Sequence, residues 1–203
     1  MKNFGLGNVI NTKDIVSVGI FTALMAVLSQ ISVPLPFTPV PLTLSLFTVY
    51  LSAAVLGFRR GLFVQIVYIL LGAVGFPVFS GFSGGLAHLF GPTGGYILSY
   101  LIMAALIGAF SDRISDPRSR LFLSGRNPVK MMIPYALIFT AALVICYSLG
   151  SLWLSWYLNI SFQQGFLIGA LPYIPLDIMK IAACAMIIIP VRRSYLNNLS
   201  HRS

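Results

Sequence analysis

Apolar residues in this chain come in long unbroken runs, unlike the alternation of a half-buried strand or the single stripe of a soluble amphipathic helix. Measured against the roughly 20 apolar residues that cross a bilayer as a helix, the runs predict six helices, at 15–33, 43–58, 62–75, 95–110, 131–157 and 166–191. The first carries no charge and is stopped by Pro34; the second and third are joined by a tight cationic turn, Gly57-Phe58-Arg59-Arg60-Gly61. The third ends before Pro77, and the sixth is entered through Pro172 and Pro175. The last two are long enough to tilt or protrude. The first run has the length of a full span and lacks a signal-peptide cleavage site, so it is expected to stay in the mature protein. Residues 1–203 are expected to form one all-α membrane domain.

Composition agrees. Charged residues make up 8% of the chain, glutamate is absent, 58% of residues are hydrophobic and the mean hydropathy is +0.91. Too few polar side chains exist to cover a soluble surface, which excludes a soluble enzyme, a disordered chain and a disulfide scaffold. Cys146 and Cys184 each lie inside an apolar run, as small buried hydrophobes do.

The formal charge of +9 changes the picture only through its placement. Twelve of the 13 Lys and Arg residues fall in the two tails and the second and fourth connections: Lys2, Lys13, Arg59, Arg60, Arg113, Arg118, Arg120, Arg126, Lys130, Arg192, Arg193 and Arg202. The first, third and fifth connections (34–42, 76–94 and 158–165) have none. Translocated loops are the cation-poor ones, so both termini are expected to be cytoplasmic, in a multi-pass protein of the bacterial plasma membrane. Topology and attraction to lipid headgroups account for the basic excess, and no nucleic-acid partner is expected.

The thirteenth cation, Lys180, stands near Asp177 inside the sixth run, in Pro172-Tyr173-Ile174-Pro175-Leu176-Asp177-Ile178-Met179-Lys180. A spacing of three puts both on one helix face, and ionisable residues within a span are costly and by default mark a functional site. The plainer alternative is an ion pair that pins the helix to its neighbours. Position favours a site, because the pair falls in the outer half of the sixth helix, below three uncharged connections. The first connection carries Pro34, Pro36, Pro39 and Pro41 and reads as a stiff, preformed wall. The third mixes glycines with aromatics and no acid or cationic lysine or arginine; backbone so apolar is tolerated at membrane depth where protein or a cavity covers it. Together these describe a pocket for a small, flat, partly apolar molecule. An interfacial aromatic belt explains Trp153, Trp156 and Tyr157, but it leaves the glycines unexplained.

Other signals carry less. His88 has no second ligand nearby, so no metal is expected, and Gly91-Pro92-Thr93-Gly94-Gly95 lacks the Gly-Lys-Ser/Thr of a P-loop, so the chain does not itself hydrolyse ATP. Asn159-Ile160-Ser161 fits a glycosylation pattern but sits against the membrane, and the segment 112–130 reads as a solvated cytoplasmic connection. Asp14, beside Lys13 at the cytoplasmic edge, needs no function. In the first helix Gly19, Thr22, Ala23, Ala26 and Gln30 recur at three and four, a stripe of small and polar residues that permits close helix packing, within the chain or with a partner.

Five stretches in order carry a resemblance over nearly the whole chain: Pro39-Val40-Pro41-Leu42-Thr43-Leu44; Gly57-Phe58-Arg59-Arg60-Gly61; Tyr68 to Gly72 leading into Gly75-Phe76-Pro77-Val78-Phe79; Gly91-Pro92-Thr93-Gly94-Gly95-Tyr96; and Pro175-Leu176-Asp177-Ile178-Met179-Lys180. The sequence resembles the BioY family, the biotin-specific substrate-binding (S) subunits of energy-coupling-factor (ECF) transporters. The resemblance implies six helices, biotin held near the outer surface, no cofactor, no enzymatic activity, and a complex with one transmembrane coupling protein and two ABC-type ATPase subunits. It further implies that Asp177 and Lys180 contact biotin, that its rings pack on Phe79, Phe82 or Tyr96, that Gly84 and Gly85 allow close approach, and that Gly19, Ala23 and Ala26 dock the coupling protein. A carboxylate suits the two ureido N–H donors and an ammonium the carbonyl, while the opposite assignment, Lys180 to the valerate, stays open. Where the family often has Gln after Thr43-Leu44, this chain has Ser45, which is therefore not counted among the site residues.

Two other classes compete with ATP-driven capture. A self-sufficient ion-coupled transporter would place acids or broken helices near the midplane. A membrane enzyme would need a nucleophile with its base, or a metal cluster. The orientation is directly testable. Cysteine placed at Ser83 is expected to react with an impermeant thiol reagent on intact cells, and cysteine at Ser119 only after the membrane is opened; the reverse pattern overturns the outward-facing capture reading.

Overall fold

The computed structural model describes residues 12–115 and 128–200. Lys2, Arg118, Arg120, Arg126, Arg202 and the proposed probe at Ser119 lie outside them. The described chain is built from α1 (Thr12–Gln30), a two-residue strand pair β1 (Ser32–Val33) and β2 (Leu42–Thr43), α2 (Ser45–Leu56), α3 (Phe58–Val74), the short α4 (Leu86–Leu89), α5 (Gly94–Ser115), α6 (Pro128–Leu158), α7 (Phe162–Gly169), a 3₁₀ turn (Leu171–Tyr173) and α8 (Ile174–Ser200). α5 packs on α2, α3 and α6; α8 packs on α2 and α6; α1 lies outside, against α2 and α3.

The molecule is apolar on the outside as well as within. Ile15, Ile20 and Val27 on α1, Ile133 and Leu137 on α6, and Ile178, Met179 and Met186 on α8 are exposed, while Ser29, Thr48, Ser52, Gln65 and Ser111 are fully buried. Lipid is the solvent that such a surface fits. α1, α5, the Met131–Leu158 part of α6 and the Phe162–Arg192 run are long and apolar enough to cross a membrane. α2 has 12 residues, a rise of about 18 Å against a hydrocarbon core of about 30 Å.

Most differences from the sequence expectation have local causes. The first helix ends at Gln30 and not Val33, because Val33 precedes Pro34, which disfavours helical geometry, and Ser32–Val33 instead pair antiparallel with Leu42–Thr43. The cationic turn shrinks to one residue, Gly57 at φ +81°, with Arg59 and Arg60 already inside α3. Close packing enforces this corner: a Cβ on Gly61 would lie 2.7 Å from the Ala53 Cα, and one on Gly108 2.6 Å from the Phe58 Cα. The expected sixth helix is two, α7 and α8, broken at Ala170 (φ −129°, ψ −52°) just before Pro172. Ser161 and Gln164 form a capping box that starts α7. Asp14 is also engaged, pairing with Arg60 at 2.9 Å.

One correction concerns a cation. Arg192, read from sequence as a tail residue for topology and headgroups, is buried. Its guanidinium donates to the carbonyls of Ala54, Val55 and Ser111, to the Ser115 hydroxyl and, at 3.2 Å, to Asp112 Oδ1. Asp112 Oδ2 in turn accepts the N–H of Phe58 at 2.9 Å. Arg192 therefore caps the carbonyl end of α2 and ties it to α5. Arg192→Ala is expected to leave these carbonyls unmet and destabilise the fold by about 2–4 kcal/mol, with Arg192→Lys recovering only part, since an ammonium lacks the planar fork. Thermal unfolding in detergent measures it, and an unchanged midpoint in the alanine variant removes the clamp.

Candidate functional site

The break between α7 and α8 creates the site. Because α8 begins at Ile174, Asp177 falls in its first turn, where the helix dipole favours a carboxylate. Lys180 follows one turn later, with its Nζ 2.6 Å from Asp177 Oδ1; Asp177 is 1% exposed and Lys180 9%. Neither charge is left to one partner. The Tyr147 hydroxyl, from α6, donates to Asp177 Oδ2 at 2.5 Å, and Lys180 Nζ also donates to the Thr43 carbonyl at 2.6 Å. Tyr173 donates to the Val40 carbonyl. α8 and the turn before it thus hold the returning limb of the first connection by its backbone.

A cavity of about 50 Å³ lies over the pair, walled by Val40, Pro41, Thr43, Leu46, Tyr96, Tyr100, Cys146, Tyr147, Gly169 and Tyr173. A second, of about 40 Å³, shares Pro41, Thr43, Tyr96 and Tyr100 with it and reaches Ser45, Tyr68, Phe79, Ser80 and Thr93. Through Pro41, Ser80 and Thr93 this second cavity borders a vestibule of about 470 Å³ roofed by the first and third connections. The three spaces adjoin through these shared wall residues and mark a path from the loops toward Asp177 and Lys180.

Of the residues the sequence singled out for a ligand, four meet along this path: Asp177, Lys180, Tyr96 and Phe79. Tyr96 is seated between Gly150 and Gly169, where an added Cβ would lie 2.2 Å from its ring and 2.3 Å from its hydroxyl oxygen, and the hydroxyl donates to the Gly169 carbonyl at 2.9 Å. Phe79 is fully buried, edge-on to Tyr68 and stacked on His88 at 5.2 Å between centroids. His88 also lies 3.3 Å from Thr93 Oγ1, and its partial burial lowers its pKa.

Phe82, Gly84 and Gly85 line none of these three cavities. Phe82 is 73% exposed at φ +54°, and its N–H is held by Gln30 Oε1 at 2.8 Å. Gly84 sits where a Cβ would meet the Phe76 carbonyl at 2.3 Å, and Gly85, at φ +92°, donates to the Gly72 carbonyl. These contacts tie the third connection to α1, to α3 and to its own start. Ser29 and Gln30 anchor that connection from α1, donating to the carbonyls of Val78 and Pro77. The small and polar stripe of α1 therefore divides: Gln30 serves the loop, Thr22 is buried, Ala26 is half-buried, and Gly19 and Ala23 are exposed.

Sequence reasoning missed Tyr147, Tyr100, Tyr173 and the Thr43 carbonyl, and it set aside Ser45, which lines the second cavity. For Ser45 a signal existed, its place in the motif after Thr43-Leu44.

A family model described as the BioY family matches residues 1–197. The chain belongs to the BioY family. The probable biotin transporter BioY of Pyrococcus horikoshii is 39% identical over 176 residues, 87% of this chain and 93% of that protein. The biotin transporter BioY of Thermotoga maritima is 35% identical over 181 residues, 89% and 96% of the two chains. Among solved structures, the 2.1 Å crystal structure of the S-component for biotin from an ECF-type ABC transporter superposes with a TM-score of 0.77 at 25% identity, over 89% of this chain and 91% of that one. The BioY relatives are transport proteins and not enzymes, and this chain is a multi-pass membrane protein of their kind.

Proposed function

We propose that this chain is the biotin-binding S component of an ECF-type vitamin transporter. It captures biotin at the outer face of the bacterial plasma membrane for ATP-driven import by a coupling protein and two ABC-type ATPase subunits. The observation that carries the reading is the buried Asp177–Lys180 pair at the bottom of an aromatic path, in a chain of the BioY family. The pair has capacity left for a ligand. Lys180 uses two of its three N–H donors, on Asp177 and Thr43, and each Asp177 oxygen accepts one bond and has room for another. A neutral ureido ring matches this pair along one edge, where one N–H can donate to Asp177 and the neighbouring carbonyl can accept from Lys180. A valerate carboxylate beside Asp177 would meet a like charge in a desolvated site, which favours the ring at the bottom and the tail toward the vestibule. In the proposed topology six helical spans place both termini in the cytoplasm, with α2 and α3 as the short pair and the α7–α8 run as the last span. Cation-free first, third and fifth connections support it.

The proposed docking face for the coupling protein is Gly19, Ala23 and Ala26. A Cβ added at Gly19 would have nothing within 4 Å, so packing inside the chain does not require a glycine there.

On the purified chain, calorimetry is expected to give one biotin per protein. Asp177→Asn and Lys180→Ala are each expected to cost on the order of 2–5 kcal/mol of affinity, roughly 30-fold to several thousandfold. Unchanged affinity in both variants overturns the site; binding of another vitamin in place of biotin overturns the ligand. Replacing Gly19 and Ala23 together by Leu is expected to abolish co-purification with the coupling protein and ATPases while biotin binding survives. A complex that forms normally rejects the docking face.

A further inference from the structure

The proposed orientation sets the ureido ring against Asp177 and Lys180 and sends the valerate tail toward the loops. The two lower cavities, of about 50 and 40 Å³, are too small for the whole ligand, so the end of the tail stands in the vestibule of about 470 Å³. That vestibule alone has the volume of a small-molecule pocket, far more than a carboxylate fills. Its walls reach the surface, since Pro34, Gly81 and Ala87 among them are exposed.

The walls are also uncharged. Their polar side chains are the hydroxyls of Ser32, Thr38, Ser80, Thr93 and Tyr157 and the His88 imidazole; among the described residues no Lys, Arg, Asp or Glu lines the space. The first, third and fifth connections hold no Lys or Arg anywhere in their sequence, so no movement of these loops brings one of their own residues in as a cation. Lys180 lines the lowest cavity and not the vestibule. His88 is the one described wall residue able to gain a positive charge near neutrality, and its partial burial opposes this. Hydroxyls and an imidazole serve an amide as readily as a carboxylate, whereas strong recognition of a carboxylate's charge comes from Arg or Lys set against it.

We propose that this site takes, as well as free biotin, biotin whose carboxyl group is joined to an amine as an amide, with the added group in the vestibule. The proposal rests on the reading that Asp177 and Lys180 hold the ureido ring. It extends the ligand class to amides such as biotin joined to the side-chain amine of lysine. Recognition then lies in the rings, and the charge of the carboxylate contributes little.

The test is calorimetry on the purified full-length chain with biotin, its primary amide and its amide with the lysine side chain. It is run at pH 8, above the ordinary histidine pKa of about 6.5. Both amides are expected to bind within tenfold of biotin; a larger loss with either overturns the proposal. Placing a charge on the vestibule wall reads the position of the tail. Ala87→Lys is expected to raise the preference for biotin over its primary amide about threefold, the size of a surface charge pair, and Ala87→Glu to lower it. An unchanged preference in both variants overturns the proposal. The reading on which it rests fails differently: biotin then binds Asp177→Asn and Lys180→Ala as well as wild type. Where wild type strongly prefers biotin to the amides and Lys180→Ala erases that preference, the tail sits at Lys180, and the proposal falls with the orientation.

Discussion

The half of this protein that carries the first and third connections is organised by the cost of burying Asp177 and Lys180 in an apolar surround. An ion pair removed from water recovers its desolvation penalty only when both members gain further hydrogen bonds. Those bonds come from far along the chain: the Tyr147 hydroxyl from α6 and the Thr43 carbonyl from the strand at the end of the first connection. Satisfying the pair therefore fixes three things together: the break at Ala170 that puts Asp177 in the first turn of α8, the face α6 turns inward, and the path by which the proline-rich connection returns to α2. The cavity is the space those three commitments leave.

A second buried charge orders the opposite end. Arg192 sits on α8, as the Asp177–Lys180 pair does, and reaches across to the last carbonyls of α2 and to Ser111, Asp112 and Ser115 of α5. α8 is thus held by Lys180 to Thr43 in the strand that leads into α2 and by Arg192 to Val55 near the end of α2, with fully buried Cys184 and Ile188 between. The helices beneath the site are tied by buried charges, and its covering connections are held by side chains such as Ser29, Gln30 and Tyr173 together with the pairing of β1 and β2.

Much of this was legible in the sequence, and the reason is physical. The preference of each residue for lipid or water shows in hydropathy, so apolar runs gave the helices, and the placement of Arg and Lys marked which connections are the cation-poor ones. A charge pair at i and i+3 is visible because helix geometry alone brings its members together. Ordered motifs such as Gly91-Pro92-Thr93-Gly94-Gly95-Tyr96 pointed to the family that the match over residues 1–197 establishes.

Partners far apart along the chain were decided only by the tertiary structure. Tyr147 is one tyrosine in an apolar span, and nothing in its neighbours says that it meets an acid 30 residues away. The Thr43 carbonyl is backbone and has no letter in the sequence at all. Arg192 looks like any arginine at the end of a membrane helix until α2 is seen to end beside it. Phe82, Gly84 and Gly85 share a segment with Phe79, yet Phe82 is exposed in a left-handed turn and Gly84 lies against the Phe76 carbonyl, while Phe79 is fully buried. Composition and periodicity report how each residue partitions between lipid and water; which polar group satisfies which is a property of pairs, and only the packing of the helices settles it.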